Sequence, residues 1–172
     1  MATSTLYDPI MDALLALLQE SCGSLFKTYT RRFVTWQQLI QSIENGNPAL
    51  FQPALLLIDS VGFGGGTTKY EQQGRTPIRR TIQRSIVLYA QITRGNTPGG
   101  YDPNVVPGSM FYPLIEAVES ALEPSPSSSF AVVTLGGRVT HCWLEGEGII
   151  IPGDLDPNGQ GMATLPVSIL IP

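Results

Sequence analysis

The sequence predicts an α+β fold: a mostly antiparallel sheet of about five strands, two main helices packed on one face of it, and a long protruding Gly-rich hairpin loop. Three observations carry this expectation. Apolar residues recur at helical spacing in two separate stretches, around residues 10–18 and 114–122. Residues 80–93 alternate, with Ile82, Ile86, Leu88, Ala90 and Ile92 on one side and Thr81, Gln83, Ser85, Tyr89, Gln91 and Thr93 on the other. The helical stretches do not alternate with the strand stretches, which excludes a doubly wound parallel sheet. At 172 residues the chain has one domain's length, and neither a repeat nor a second domain is visible across 1–172.

Taken in order, Asp8-Pro9 reads as a cap and first helical residue. Ile10, Met11, Leu14, Leu15, Leu17 and Leu18 then form the apolar stripe of a helix that Gly23 ends. Residues 26–30 suit a short strand. An irregular stretch through Arg31, Arg32, Phe33 and Trp36 follows, its aromatics plugging one edge of the core, and the turn Asn45-Gly46-Asn47-Pro48 closes it. The apolar run 54–59, set between Pro53 and the glycines from Gly62 onward, reads as a buried strand. Residues 60–77 form an extended Gly-rich polar loop. As a hairpin arm at roughly 3.3 Å per residue, it would reach on the order of 25–30 Å from the body. An isolated arm of that kind is marginal alone and becomes ordered by pairing with a neighbour. The alternating strand comes next. Past a turn-rich loop, residues 109–122 place Leu114, Ile115, Val118, Ala121 and Leu122 on one helical stripe, closed by Pro124. Residues 124–129 are a flexible link. Gly136-Gly137 between residues 130–135 and 138–144 signals an antiparallel hairpin, and Leu165, Val167, Ile169 and Ile171 face inward on a last strand.

Composition narrows the function. Ser, Thr, Asn and Gln supply 42 residues against 24 charged ones, and the charged fraction of 14% is well below the roughly 25% usual for soluble domains. Amides and hydroxyls cost less to desolvate than charges, so such a surface suits packing against other subunits. The net charge of −4 argues against binding duplex nucleic acid through many phosphate contacts. Cys22 and Cys142 build no disulfide framework and read as reduced thiols. The apolar run 10–18 is too short to span a bilayer, and Asp8 and Asp12 stand where a secretory signal would carry Lys or Arg; no membrane association is expected.

The motifs that invite chemistry fail on spacing. Gly62, Gly64, Gly65, Gly66, Thr67, Thr68 and Lys69 suggest a phosphate loop, but Thr68 precedes the lysine and a strand follows it, whereas a Walker loop needs glycine and then a helix. Asp154, Asp156, Asn158 and Gly159 match half of a calcium loop, and the twelfth position is Leu165 instead of Glu. His141 and Cys142 are adjacent on a strand and point to opposite faces. Glu145 and Glu147 share a strand face without a partner base. The sequence therefore predicts no enzyme, no cofactor and no metal site. Charge is instead separated along the chain. Lys69, Arg75, Arg79, Arg80, Arg84 and Arg94 against Glu71 make residues 69–94 basic, at +5. Residues 95–172 carry −7, including Glu145, Glu147, Asp154 and Asp156. This suggests an interface in which Lys69, Arg75, Arg79 and Arg80 of one copy meet Glu145, Glu147, Asp154 and Asp156 of the next, head to tail.

Several segments together resemble a known family: the opening helix with Leu14-Leu15-Ala16-Leu17-Leu18, the Phe33/Trp36 segment, Pro-Ala-Leu-Leu-Leu at 53–57, the long alternating strand and the helix at 113–122. The most specific part is the C-terminal signature. It comprises Thr134-Leu-Gly-Gly-Arg-Val139, Glu145-Gly-Glu147, Gly153-Asp-Leu-Asp156, Gly159-Gln-Gly161 and a closing Pro166-Val-Ser-Ile-Leu-Ile-Pro172. The chain resembles the tail terminator, or tail completion, proteins of long-tailed bacteriophages. The resemblance implies a structural virion protein, assembled in the host bacterial cytoplasm, with no catalytic residues. It would form a homohexameric ring that caps the tail tube, ends polymerisation of the tail tube protein and offers a surface to the head–tail connector, or stopper, protein. Genomic DNA would pass through the lumen without specific binding, and the acidic C-terminal half would line the hole. The alternatives are another neck or baseplate protein of the same particle, or a small-ligand or nucleotide-binding domain using Gly62 to Lys69.

Overall fold

The computed structural model describes residues 5–61, 64–65, 68–73, 76–91, 111–123, 132–145, 149–151 and 160–172. Helix α1 spans Tyr7–Cys22 and buries Ile10, Met11, Leu14, Leu18 and Cys22, a stripe repeating every three to four residues. It starts one residue before Asp8, so this carboxylate lies in the first turn near the positive end of the helix dipole and is not the cap. Gly23 ends the helix at a φ of 53°, where its N–H donates to the Gln19 carbonyl. Helix α2, Trp36–Glu44, replaces the irregular stretch expected there. Its start is a capping box: the Gln38 N–H donates to Thr35 Oγ1 at 3.2 Å, and the Thr35 N–H donates to Gln38 Oε1 at 3.1 Å. Helix α3, Tyr112–Leu122, buries Leu114, Val118 and Leu122 and packs beside α1.

Among the described residues nine strands follow one another: β1 (Thr28–Thr30), β2 (Ala54–Ile58), β3 (Ser60–Val61), β4 (Gly64–Gly65), β5 (Thr68–Gln73), β6 (Thr76–Gln91), β7 (His141–Leu144), β8 (Ile149–Ile151) and β9 (Gln160–Ile171). β3 and β4 form a small antiparallel ladder of their own, and the other seven form one mixed sheet. The spine of that sheet is the antiparallel pair β6–β9, in register from Arg80↔Ile171 to Gln91↔Gln160. Shorter strands flank the spine at two heights. At one height the order is β1-β2-β6-β9-β8, with β1 parallel to β2 and every other pair antiparallel. At the other it is β5-β6-β9-β7. Pro166 sits in the gap between β8 and β7. Its carbonyl accepts the Glu145 N–H at 2.8 Å, so its own nitrogen faces that gap, and the missing donor costs no bond to β6.

The pleat divides the core. On one face Leu55, Leu57, Ile82, Ile86, Leu88, Ala90, Cys142, Leu165, Val167 and Ile169 pack beneath α1 and α3, so the two main helices do share a face. On the opposite face Ala54, Leu56, Ile58, Val87, Tyr89 and Met162 pack against Val34, Leu39 and Leu50, and α2 supplies the cover. Each fully buried leucine or isoleucine contributes about 1.5–3 kcal/mol of hydrophobic transfer energy. Tyr89 pairs its ring with Trp36 at a centroid distance of 6.0 Å and donates its hydroxyl to the Val34 carbonyl at 2.9 Å. Trp36 is therefore the aromatic plug, whereas Phe33 lies 45% exposed outside the core.

One further expectation is corrected. The Gly136-Gly137 signal does not make a hairpin of residues 130–135 with 138–144. Leu135, Gly136 and Gly137 take positive φ values of 50°, 69° and 81°, and the Val139 N–H reaches the Thr134 carbonyl, a wider turn than two residues. β7 pairs with β9 instead, and the Val133 N–H donates to His141 Nδ1 instead of to a partner strand. Within 60–77 most described residues are strand, because β5 zips onto β6 from Thr68↔Ile82 to Gln73↔Thr76, with an irregularity at Glu71/Gln72. Residues 74–75, 92–93 and 124–131 lie outside the described residues, as do the glycines at 62 and 66.

Candidate functional site

The residues expected to form an interface fall on opposite margins of the sheet. Lys69 lies in β5 opposite Thr81, Arg79 lies opposite Glu71, and Arg80 lies between Tyr70 of β5 and Ile171 of β9. Arg79 is exposed and Arg80 half-buried. All three belong to the β5–β6 hairpin, whose residues Thr76 to Arg79 pair with β5 alone, beyond the last β9 partner. Glu145 follows β7 on the far side of β9, exposed, and its Oε1 accepts the hydroxyl of fully buried Ser168 at 2.6 Å. Among the described residues Lys69, Arg79 and Arg80 are thus separated from Glu145 by the width of the β6–β9 spine. Arg75, Glu147, Asp154 and Asp156 lie outside the described residues.

Arg84, counted with the basic group in the sequence, is engaged elsewhere. Its Nε donates to Asp59 Oδ1 at 3.1 Å, and its side chain is only 12% exposed. Asp59 also faces Arg31 at 3.6 Å, and Arg31 holds Asp8 at 2.9 Å and Asp12 at 3.0 Å. This chain of charges ties the first turn of α1 to the end of β2 and the middle of β6. Burial lowers the basicity of Arg31, and the hydrogen bonds it donates to Asp8 and Asp12, with the charge of Asp59, outweigh it, so the guanidinium is held above its ordinary range. Two aspartates four residues apart on one helix face were the sequence signal for such a clamp.

The remaining chemistry-bearing groups are occupied by structure. His141 stacks on Trp143 at 5.1 Å while its Nδ1 accepts the Val133 N–H at 3.1 Å, which places the proton of the neutral ring on Nε2. Cys142 is on the other face, fully buried beneath the helices, and burial pushes its thiol up to about 12. Burial also raises the Cys22 thiol, which donates to the Ala117 carbonyl of α3 at 3.6 Å. An aromatic disulfide reagent is therefore expected to titrate neither thiol in the folded chain at neutral pH and both in denaturant; rapid native labelling would contradict these placements. Strand β5 continues past Lys69, where a phosphate loop would begin a helix. Among the described residues no group of three His, Cys, Asp or Glu side chains is placed to hold a metal ion, and no helix is long and apolar enough to cross a membrane.

One surface was not legible beforehand. The large apolar side chains most exposed among the described residues are Leu25, Phe33, Phe51 and Tyr112. Three of them bracket β1: Leu25 precedes it, Phe33 follows it, and the Phe51 carbonyl accepts the Thr28 hydroxyl at 2.8 Å. Phe51 is 68% exposed. Apolar side chains that frame an outer strand mark an interaction surface more than a solvated edge. The site is thus a sheet with an apolar margin at β1, unpaired among the described residues, a basic hairpin at β5–β6 and a carboxylate beyond β7. No protein-family model matches the sequence, and no curated protein matches it.

Proposed function

We propose that this chain is a structural virion protein: a subunit of a homohexameric ring that caps a bacteriophage tail tube, ends its polymerisation and offers the surface to which the head connector joins. The observation that carries the reading is the separation of unlike margins on one sheet, apolar and basic on the β1 and β5 side and acidic at Glu145 on the other. A ring requires heterologous contacts, in which two different patches of the same chain meet, and a chain with two unlike margins meets that requirement. The weakly charged polar surface and the resemblance of residues 134–172 to tail terminators support the same reading. In this role the work is done by shape and self-association, and His141, Cys142 and Cys22 serve packing.

Two measurements test it together. Light scattering of the purified chain is expected to give six times the 18.6 kDa monomer mass, and negative-stain images a ring with a central hole. Particles assembled without the protein are expected to carry overlong tails that fail to join heads. A chain that stays monomeric at high concentration, or tails of normal length in its absence, would overturn the proposal.

A further inference from the structure

The outermost strands at one height of the sheet, β1 and β8, stand directly across from each other. Three unbroken rows join them through the ladders: Thr28–Ala54–Tyr89–Met162–Ile151, Tyr29–Leu55–Leu88–Ala163–Ile150, and Thr30–Leu56–Val87–Thr164–Ile149. Each end of the ladder is a three-residue strand. β1 runs with β2 and β9, and β8 runs against them. A second copy set beside the first in the same orientation therefore brings its β1 antiparallel to the first copy's β8, at the same height, with the same face of the sheet turned toward the helices. Antiparallel pairing is also the more stable ladder.

The bonding groups of β1 are turned the right way. The Lys27 N–H crosses to the Pro53 carbonyl at 2.7 Å, so by strand alternation the Tyr29 amide also faces β2, and those of Thr28 and Thr30 face outward. Among the described residues nothing pairs with these outward amides or with the far edge of β8. Edges that must stay single are blunted by charge, proline or a bulge. β1 has Leu25, Phe33 and Phe51 around it, and β8 is the run Ile149-Ile150-Ile151. The charges also match. Lys27 and Arg32 are exposed beside β1, whereas the sequence contains no Lys or Arg after Arg138 and exposed Glu145 closely precedes β8.

We infer that β1 of one copy pairs antiparallel with β8 of the next, so that the sheet runs on from subunit to subunit and Lys27 and Arg32 face the acidic margin across the seam. The inference rests on the ring reading and specifies its seam. The occupant of the β1 edge is then the β8 strand of a second copy, not a strand of another protein.

The test uses the full-length chain carrying Thr30→Cys together with Ile149→Cys, positions that the row register sets opposite each other across the seam. Mild oxidation is expected to give a ladder of covalent multimers on a non-reducing gel, up to the ring, and reductant to collapse it. Each single variant is expected to stay uncrosslinked, since Cys22 and Cys142 are buried. Thr28→Cys with Ile151→Cys provides a second pair in the same register. A hexamer by light scattering that yields no ladder from either pair overturns the seam and leaves the ring standing; a monomeric wild type overturns both. Lys27→Glu with Arg32→Glu, at exposed positions, is expected to abolish assembly while the melting temperature of the monomer stays unchanged. Undiminished assembly of that variant would likewise count against the seam.

Discussion

Replacing Leu88 by Ala lowers the free energy of unfolding by about 3–4 kcal/mol, as read from the midpoint of urea denaturation at unchanged slope. Leu88 lies in the spine strand β6, in one row with Leu55 and Ala163, and is fully buried under the layer formed by α1 and α3. Two long strands and two helices hold its surroundings in place, so the walls collapse little, and the loss combines the transfer energy of the deleted atoms with that of a cavity. Tyr112→Ala is the contrast: at 52% exposure it is expected to stay within about 0.5 kcal/mol of wild type. A loss below about 1 kcal/mol for Leu88→Ala would show that the face beneath α1 and α3 is not packed as described.

The second large effect appears on the alkaline side. Burial moves the Cys142 thiol from its ordinary 9.0 to about 12 and the Tyr89 hydroxyl from 10.0 to about 12. Both groups hold their protons more tightly in the folded chain than in the unfolded one. As pH rises the unfolded chain therefore ionises first, and stability falls. It is expected to be level below pH 9 on account of these groups, to decline from pH 9 as Cys142 ionises in the unfolded state, to steepen from pH 10 with Tyr89, and to level off near pH 12. The Cys142 part amounts to about 4 kcal/mol and the Tyr89 part to about 3 kcal/mol, taken as upper bounds on the scale of 1.36 kcal/mol per pH decade. Cys142→Ala separates them: the decline between pH 9 and 10 should shrink to the part that Cys22, also raised by burial, contributes, and the later one remain. An unchanged profile in that variant would place the alkaline transition elsewhere.

Much of the fold was readable because burial imposes a period. The stripe Ile10, Met11, Leu14, Leu18 and the alternation Ile82, Ile86, Leu88, Ala90 report which side of an element faces the core, and the structure buries those residues. The class of fold and the shared face of α1 and α3 followed from that pattern. Helix α2 was missed although Trp36, Leu39, Ile40 and Ile43 recur at helical spacing, because the stripe spans only nine residues; its start was also marked by the Thr35 and Gln38 capping box, a local hydrogen-bond motif. The hairpin expected around Gly136-Gly137 failed because glycine reports a backbone free to turn left and says nothing of where the following strand finds its partner.

For the site, the charge imbalance between the two parts of the chain was visible in composition, but counting charges does not reveal which are already engaged. Arg84 is bonded to Asp59 and withdrawn from any interface, whereas Arg79 remains exposed. From the residue order alone came the two main helices, the long strands, their buried faces and the surplus of each charge, since each is set by neighbours within a few positions along the chain. Strand order, the two heights of the ladder and the alignment of β1 with β8 across five strands arose only in three dimensions. Backbone amides are chemically alike at every residue, so which strands pair is decided by how helices and sheet faces fit together, and nothing in the side-chain alphabet spells it out.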